Sequence, residues 1–316
     1  DLVVEFPMGR KRSLQAVSGI SFDLARGETL GIVGESGCGK STTGRAIMQM
    51  PQPTSGSIEF ESSELTTLGR AELREARTSV QMIFQDPISS LNPRRRVRDS
   101  VLDPLDIWAR GTPEERAARV DRTLEEVGID PERAHDSRPH QFSGGQCQRI
   151  AIARALVLDP TLIICDEPVS ALDVSVQAQV LNLLEDLKAA HGLTMIFIAH
   201  DLAVVKNISD RVAVMYLGRL CEIATPDRLY ARPAHPYTQV LLDSVPVPDP
   251  TADRTSTGIS GEPPSPINPP SGCRFHPRCP AADDRCRTEV PEMTEIEPGH
   301  HVACHHPLVT PVTISG

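Results

Sequence analysis

The chain has 316 residues, of which 39% are hydrophobic and 23% charged, and its net charge is −10. Its length predicts roughly two domains, and its composition excludes a disordered or fibrous protein. The acidic balance argues against non-specific binding of nucleic acid.

Two expectations concern membranes and the start of the chain. The sequence has no apolar run of the roughly 18 residues that a membrane span needs, and we expect no signal peptide because no charged-then-apolar leader is seen. Asp1–Phe6 has the pattern of a strand, although its first residue is not Met. We therefore expect more chain to precede Asp1, either because the chain is truncated or because it is half of a fused polypeptide.

A phosphate-binding loop is indicated near the N-terminus. The apolar run Thr29–Val33 predicts a buried parallel strand, and it leads into Gly34-Glu-Ser-Gly-Cys-Gly-Lys-Ser-Thr42 and a helical pattern. Strand, G-x-x-x-x-G-K-S and helix together are the context that such a loop requires. The glycines let backbone N–H groups approach phosphate, and the helix N-terminus adds partial positive charge. The candidate nucleotide-binding residues are Gly34, Ser36, Gly37, Cys38, Gly39, Lys40, Ser41 and Thr42.

Within this loop, two side chains have specific predicted roles. Lys40 is expected to reach the β- and γ-phosphates of a nucleotide, and Ser41 is expected to ligate Mg²⁺.

A pair of carboxylates follows a second predicted strand, Leu162–Cys165. Two carboxylates at the end of a buried strand are unfavourable unless they meet a metal or a proton. Asp166 fits a Mg²⁺ ligand, and Glu167 fits a general base that activates a water molecule. The alternative is a merely acidic exit from the strand.

Two further polar residues also follow predicted strands. Gln85 comes after Val80–Phe84, where its amide can sense Mg²⁺ and water. His200 comes after Thr194–Ala199, where a neutral imidazole can contact a γ-phosphate or the attacking water. A lone histidine at such a position is equally compatible with a structural role.

The segment Phe142-Ser-Gly-Gly-Gln146 precedes another helical pattern. Ser143 and Gln146 have the spacing of a capping box, which explains these two residues but not the glycines between them. Adjacent glycines permit a close backbone approach, and the helix dipole then favours an anion. Phosphate of a second nucleotide site is the natural anion, and its candidate ligands are Ser143, Gly144, Gly145 and Gln146.

Taken together and in this order, these segments resemble the ATP-binding subunits of ABC transporters. The resemblance covers nearly all of residues 1–245; Phe142 stands where the family usually has Leu, and Cys147 stands at a position that is often polar or basic. It implies an α/β P-loop NTPase fold with a RecA-like parallel core and a helical subdomain at about 86–156. It also implies an antiparallel β portion near Asp1–Leu24 and Ser57–Phe60.

The resemblance also implies how such subunits work. Two ATPases would dimerise head to tail, so that the Lys40 loop of one faces the Ser143–Gln146 segment of the other across ATP. Asp173, in Ser170-Ala-Leu-Asp173, would communicate across this interface. Phe6 would stack on adenine, although core packing explains the same apolar ring equally well.

Three segments are similar to the oligopeptide/dipeptide (and nickel) importer branch of this family: Phe84–Arg96, Ala234–Leu242 with its His-Pro-Tyr, and Gly272–Pro280. This branch implies ATP-driven peptide import at the cytoplasmic face of the membrane, with two permease subunits and an extracytoplasmic peptide-binding protein, and no nucleic acid as partner. Nickel or another small solute is an alternative cargo. A soluble ABC-type ATPase acting on nucleic acid or ribosomes is the alternative from another class.

Composition changes sharply after residue 245. Residues 246–316 hold half of the 28 Pro and half of the eight Cys, and Pro246–Ser271 predicts an extended connection. We therefore expect an ATP-binding domain at 1–245 and a Pro-rich linker with a cysteine-bearing domain at 246–316. Cys38, Cys147, Cys165 and Cys221 are scattered singly, as small apolar residues often are.

The four late cysteines are spaced C-x5-C-x6-C-x17-C and are candidate metal ligands: Cys273, Cys279, Cys286 and Cys304. A disulfide framework fits poorly with an ATPase in reducing cytosol. Structural zinc usually uses a tighter cysteine pair, which His276, His305 or His306 would have to supplement. Four thiolates also suit a [4Fe–4S] cluster, which some similar subunits carry at this place. A cluster is the favoured prediction, with zinc and four reduced thiols as alternatives.

Overall fold

The computed structural model describes residues 1–9, 12–244 and 262–309. Most of the predicted Pro-rich connection lies outside these described residues.

The strands and helices alternate over much of the described chain. The strands are β1 (Leu2–Pro7), β2 (Ser13–Ile20), β3 (Thr29–Val33), β4 (Glu59–Phe60), β5 (Ser63–Glu64), β6 (Val80–Ile83), β7 (Leu162–Asp166), β8 (Thr194–Ile198), β9 (Arg211–Tyr216), β10 (Arg219–Ala224), β11 (Thr294–Glu297) and β12 (His300–Val302). The α-helices are α1 (Lys40–Ile47), α2 (Arg70–Ser79), α3 (Pro87–Ser90), α4 (Val97–Ile107), α5 (Pro113–Glu126), α6 (Pro131–Asp136), α7 (Gly144–Leu156), α8 (Val174–His191), α9 (Leu202–Ile208), α10 (Pro226–Ala231), α11 (Pro236–Asp243) and α12 (Asp284–Thr288).

The central strands are apolar along their whole length. Every residue of β3 and β7 is buried, and parallel strands covered on both faces have this near-continuous apolar composition. For this reason the predicted strand Thr29–Val33 is confirmed to the residue, and the predictions for β6, β7 and β8 agree within one residue.

By contacts between residues, the chain divides into two compact units. The first unit comprises Asp1–Asp23, Thr29–Thr67 and Ala199–Gly316, within the described residues. Its main strands lie in the order β11-β12-β10-β9-β3. Strands β3 and β9 are parallel, whereas β9, β10, β12 and β11 are successively antiparallel. Antiparallel pairs β1–β2 and β4–β5 complete this unit.

The second unit comprises Leu24–Glu28 and Leu68–Ile198. Its strands lie in the order β8-β7-β6 and are all parallel. Helices α3 to α7 follow β6 and precede β7. The predicted α/β fold, with parallel core strands and an antiparallel β portion near the N-terminus, is confirmed.

Residues 294–302 join the sheet of the first unit, a feature that the sequence analysis does not predict. Strand β12 pairs with β10, with Glu222 opposite Val302. Around this pairing, Ala234, Ile296, Val302 and Val309 form a buried apolar cluster. In the part of the chain that the structure describes, no helix combines the length and the apolar character that crossing a bilayer requires.

Candidate functional site

The predicted phosphate loop connects β3 to α1. Gly34, Gly37 and Gly39 all have positive φ angles, of 153°, 79° and 108°. A Cβ atom at Gly34 would lie 2.0 Å from the carbonyl oxygen of Met215, and one at Gly39 would lie 2.1 Å from that of Ala16. Glycine is therefore required at both positions by close packing as well as by backbone conformation.

Lys40 is folded back over the loop that precedes it. Its Nζ donates to the carbonyl oxygens of Gly34 at 2.8 Å and Glu35 at 3.2 Å, and the residue is buried. Ser36 and Gly37 are exposed, and Ser41 and Thr42 are half-buried in the first turn of α1. A helix N-terminus with glycine backbone and a lysine is an arrangement suited to phosphate.

Cys38 lies inside the loop, where its backbone N–H donates to Glu35 at 3.2 Å and its carbonyl oxygen accepts from Gly218 at 2.8 Å. Burial raises the pKa of its thiol. The thiol is thus neutral, and its Sγ accepts a long hydrogen bond from Nζ of Lys40 at 4.0 Å.

Two other predicted residues belong to the first unit. His200 is exposed and follows Ala199, whose backbone N–H donates to the carbonyl oxygen of Ile32 at 3.1 Å. This hydrogen bond places His200 beside the end of β3, where the phosphate loop begins. Phe6 lies half-buried on β1, opposite Leu14. Its ring is accessible in part, which suits stacking as well as packing.

In the second unit, the ends of β6 and β7 bring the predicted glutamine and carboxylates together. Nε2 of Gln85 donates to Oε2 of Glu167 at 3.1 Å. Asp166 is fully buried at the end of β7, and Glu167 is half-buried with a positive φ of 48°. The backbone N–H of Glu167 donates to Ile198 at 2.9 Å, which holds this turn in place.

The capping box at the start of α7 is present. The backbone N–H of Gln146 donates to Oγ of Ser143 at 3.3 Å, and Ser143 N–H donates to Oε1 of Gln146 at 3.1 Å. The two glycines between them differ. A Cβ at Gly145 would lie 2.4 Å from Cγ1 of Val176, whereas one at Gly144 would meet no atom closer than 3.6 Å. Packing against α8 thus explains Gly145, and Gly144 stays open to the close approach of a ligand.

Asp173 caps the N-terminus of α8. Its Oδ1 accepts from the Ser175 hydroxyl at 2.8 Å and from Val176 N–H at 3.0 Å. These hydrogen bonds, that of Ser175 foremost, lower the pKa of Asp173. Asp173 is exposed, so that a charged and oriented carboxylate is available at the surface of this unit.

The four late cysteines lie in one region, but their sulphur atoms are not tightly clustered. Burial raises the pKa of Cys304 to about 12, and Cys273, Cys279 and Cys286 each add an electrostatic contribution. No three of these sulphurs lie within 4.8 Å of one another. The group that does meet this distance, among the described residues, is Asp283, Cys286 and His306.

Backbone N–H groups point at these sulphurs. The N–H of His306 lies 3.4 Å from Sγ of Cys304. Similar hydrogen bonds from Phe275 and Ala281 oppose the burial-induced rise in the pKa of Cys273 and Cys279. Such donors stabilise thiolate over thiol. The other four cysteines, Cys38, Cys147, Cys165 and Cys221, are all buried. Of these, Cys221 lies close enough to Cys273 and Cys304 for their charges to contribute to its raised pKa.

Three interactions involve the C-terminal region, here residues 221–309, and the sequence analysis does not predict them. Arg278 donates to both carboxylate oxygens of Glu35 in the phosphate loop. The hydroxyl of Tyr237 accepts the backbone N–H of Glu35 at 2.9 Å. The sequence signals were the His-Pro-Tyr motif and the arginine next to Cys279, but neither indicates a contact with the loop.

The third interaction is a buried contact between a histidine and a glutamate. Nε2 of His300 lies 2.7 Å from Oε1 of Glu222, which also accepts the backbone N–H of Ala234, while the other oxygen accepts that of His235. Glu222 and His300 are almost completely buried. This pair fastens β12 to β10.

The fold, the glycine loop with its lysine, and the carboxylates at the end of β7 define a P-loop ATPase. The family described as ABC transporter matches residues 17–170, and the oligopeptide/dipeptide transporter C-terminal region matches residues 221–286. The chain belongs to the ATP-binding proteins of ABC transporters, in the branch that carries the oligopeptide/dipeptide C-terminal region.

Relatives over nearly the full length support this membership. The chain is 53% identical to YkfD of Bacillus subtilis, named for oligopeptide transport ATP binding, over 96% of this chain and 93% of that protein. It is 52% identical to the oligopeptide transport ATP-binding protein AppF of the same organism, over 92% and 89% of the two chains.

Solved structures agree on the fold. A dimeric, post-hydrolysis structure of the ATP-binding cassette MJ0796 with ADP and Pi has a TM-score of 0.65 at 30% identity, covering 71% of this chain and 96% of that one. CbiO1 of Clostridium perfringens, part of the ABC transporter complex cbiONQ, has a TM-score of 0.64 at 31% identity, covering 73% and 90%. The predicted P-loop NTPase class is confirmed.

Proposed function

We propose that this chain is the ATP-hydrolysing subunit of an ABC importer and that its ATP hydrolysis powers peptide uptake across the cytoplasmic membrane. The observation that carries the proposal is the combination of a glycine-shaped phosphate loop with the oligopeptide/dipeptide transporter C-terminal region at residues 221–286. The names of AppF and YkfD, which cite oligopeptide transport, support peptide as the cargo.

In the first unit, the loop Gly34–Thr42 binds the phosphates of ATP. Its backbone N–H groups and the ammonium group of Lys40 neutralise the β- and γ-phosphates. Phe6 stacks on adenine through its partly accessible ring, and His200 contacts the γ-phosphate at the end of β3.

In the second unit, Glu167 is the general base. It accepts a proton from the water molecule that attacks the γ-phosphorus, and ADP leaves. The hydrogen bond from Gln85 orients this carboxylate. Mg²⁺, when bound, supplies positive charge that offsets the charge of the phosphates, and Ser41, Gln85 and Asp166 are the side chains that would hold it.

A second ATPase completes each nucleotide site, in a head-to-tail dimer of two similar chains or of two fused halves. The segment Ser143–Gln146 contacts the γ-phosphate bound to the other copy, using the N-terminus of α7 and the open position at Gly144. Asp173 carries the signal across the interface from its exposed position. The dimeric state of the MJ0796 cassette with ADP and Pi supports the formation of a dimer.

Two permease subunits and an extracytoplasmic peptide-binding protein are the remaining partners. The subunit attaches peripherally to the cytoplasmic face through the permeases. Its domains are the ATP-binding domain at 1–245, with a helical subdomain at about 86–156, and the C-terminal domain at 246–316.

Cys273, Cys279, Cys286 and Cys304 are the side chains that would hold a [4Fe–4S] cluster in the C-terminal domain. Four thiolates on one zinc ion would lie about 3.8 Å apart, whereas no three of these sulphurs come within 4.8 Å. The N–H groups directed at Cys273, Cys279 and Cys304 stabilise thiolates, and four thiolates are the usual ligands of such a cluster. The cluster, when bound, would have a structural role, because its four ligands are distant from one another in sequence.

Metal analysis tests the cluster. Anaerobically purified protein is expected to absorb broadly near about 400 nm, as iron–sulphur proteins do, and to contain iron and sulphide. Stoichiometric zinc without iron would instead support the zinc alternative, in which Asp283 and His306 add to Cys286.

Purification and reconstitution test the function. The tagged chain is expected to co-purify with two polytopic membrane proteins, and the complex in proteoliposomes is expected to import labelled peptide only with ATP. Import of nickel but not of peptide would show that nickel, rather than peptide, is the cargo. Co-purification with ribosomes or nucleic acid, without membrane proteins, would overturn the importer function.

A further inference from the structure

Two residues of the C-terminal region, Arg278 and Tyr237, form hydrogen bonds with Glu35 of the phosphate loop. Nη1 and Nη2 of Arg278 donate to Oε2 and Oε1 of Glu35 at 2.9 and 3.0 Å, which makes a bidentate ion pair. The backbone N–H of the same glutamate donates to the hydroxyl of Tyr237 at 2.9 Å. Both the side chain and the backbone of Glu35 are therefore fixed by residues more than 200 positions away in the chain.

Arg278 is itself rigidly placed. Only 6% of its side chain is exposed, and its Nη1 also donates to the hydroxyl of Tyr216 at 3.2 Å. Beneath it, Tyr216, Tyr237 and Phe275 pack with ring centroids 4.6–5.3 Å apart. A buried guanidinium held by two partners loses little further freedom when it orients a carboxylate.

Glu35 in turn determines the shape of the loop. Its carbonyl oxygen accepts from Nζ of Lys40 at 3.2 Å and from the backbone N–H of Cys38 at 3.2 Å. Movement of Glu35 would therefore displace both the lysine and the backbone that the loop offers to phosphate.

The charge of Glu35 gives the ion pair a second effect. A carboxylate within a loop that binds highly anionic phosphates repels the ligand, and this repulsion is strong where water is partly excluded. The side chain of Glu35 is 24% exposed, so water screens it only in part. The guanidinium of Arg278 neutralises this carboxylate at hydrogen-bond distance.

We propose that Arg278 is a positioning residue for the nucleotide site, which fixes and neutralises Glu35 and thereby sets the affinity of the loop for nucleotide phosphates. The proposal rests on the proposed function, in which this loop binds ATP. It assigns to the C-terminal region a role in nucleotide binding besides any structural one.

Nucleotide titration of the full chain by calorimetry tests the proposal. Arg278→Met is expected to weaken ATP binding about tenfold, as the loss of one close charge neutralisation would. ADP, which carries less charge, is expected to lose less affinity than ATP. Arg278→Lys keeps the charge without the bidentate geometry, and its affinity for ATP is expected to lie between that of the wild type and that of Arg278→Met.

Two further variants separate this effect from general damage. Adding Glu35→Gln to Arg278→Met removes the unneutralised charge and is expected to restore most of the affinity for ATP. Arg232→Met breaks another ion pair to the C-terminal region, with Glu297, but does not touch the loop, so it is expected to bind ATP like the wild type.

The outcomes distinguish the inference from the function. The role of Arg278 would be overturned by wild-type affinity in Arg278→Met, by equal losses of affinity for ATP and ADP, or by failure of Glu35→Gln to restore binding. The proposed function would still stand if the wild type binds ATP and Lys40→Ala abolishes that binding. If Arg278→Met does not fold, wild-type affinity in Arg278→Lys overturns the proposal. A wild-type chain that binds no ATP would overturn both.

Discussion

At the scale of single residues, Glu167 has an unusual backbone. Its φ of 48° lies in the left-handed region, which a non-glycine residue occupies at a cost of about 1 kcal/mol or more. The conformation persists because its N–H donates to Ile198 and its carboxylate accepts from Gln85. Strain of this kind is frequent where a side chain must be aimed at a reacting group.

We predict that Glu167→Gln will bind ATP with the affinity of the wild type and hydrolyse it at least about 100-fold more slowly. The amide retains the size and hydrogen bonding of the side chain but cannot accept the proton of the attacking water. Steady-state phosphate release and an equilibrium binding assay measure the two effects. Undiminished hydrolysis would remove Glu167 from the role of base.

The neighbouring glycines Gly144 and Gly145 allow a matched test of how packing against α8 affects stability. Gly145→Ala would place a methyl group 2.4 Å from Val176, whereas Gly144→Ala would make only an ordinary contact with Leu172 at 3.6 Å. We predict that Gly145→Ala lowers the stability by about 1–3 kcal/mol, as overpacking does, and that Gly144→Ala changes it much less. Thermal unfolding of both variants measures this, and equal losses would contradict the packing role of Gly145.

Much of the phosphate loop and the carboxylate pair could be predicted from the sequence because their chemistry is local. Strand β3, the loop glycines and Lys40 are contiguous, and Asp166 ends the apolar strand β7 directly before Glu167. The Arg278–Glu35 pair could not be predicted, because its partners are separated by 243 positions and no periodicity connects them. The roles of Phe6 and His200 stay predictions.

At the scale of secondary-structure elements, His235 combines capping with burial. Its Nδ1 accepts the backbone N–H of Tyr237 at 3.0 Å at the start of α11. The residue is 1% exposed. Burial lowers its pKa to about 4, although the carboxylate of Glu222 acts in the opposite direction. The cap therefore depends on a neutral imidazole.

This cap predicts an acid-dependent loss of stability. The unfolded chain binds a proton at His235 with a pKa near 6.5, so the unfolded state binds more protons than the folded state below that pH. The contribution of His235 is fully present above about pH 6.5 and is lost as pH falls towards 4, by about 2 kcal/mol at pH 5. Denaturant unfolding at pH 7 and pH 5 measures it.

His235→Asn is the control, because asparagine keeps an acceptor for the cap without titrating in this range. The variant is expected to be less stable than the wild type at pH 7 through lost packing, with a difference that narrows at pH 5. If the stabilities of the wild type and of His235→Asn depend on pH in parallel, the pKa of His235 does not differ between the folded and unfolded states.

The strands of the C-terminal region mark another limit of prediction from sequence. Strands β11 and β12 are only four and three residues long, and Thr294–Val302 has too few apolar residues for a clear alternating pattern. Their pairing is specified by β10 and by the buried contact of His300 with Glu222. Tertiary context of this kind overrides local preference.

At the scale of the whole molecule, the proposed head-to-tail dimer can be tested with a matched control. Thr112 and Ser143 both form capping boxes, at the starts of α5 and α7. Alanine at either position is expected to lower helix stability by about 1 kcal/mol. In a Glu167→Gln background with ATP, only Ser143→Ala is expected to weaken dimer formation, because Ser143 is the cap that we propose to contact the nucleotide of the other copy.

Light scattering after size-exclusion chromatography, with and without ATP, measures the dimer. The Thr112→Ala variant is expected to double its mass upon addition of ATP, as the Glu167→Gln parent does. Equal dimer formation by both alanine variants would contradict the placement of Ser143 at the interface.

The pairing of β12 with β10 also bears on solubility. Without the C-terminal strands, β10 would present a row of unpaired N–H and C=O groups, and such an exposed edge invites pairing with other chains. The strand that takes the outermost place in this unit is β11, a short segment with charged residues at Glu295 and Glu297. Short, charged edge strands resist edge-to-edge aggregation. We therefore expect the C-terminal strands to disfavour self-association of the chain through this edge of the sheet.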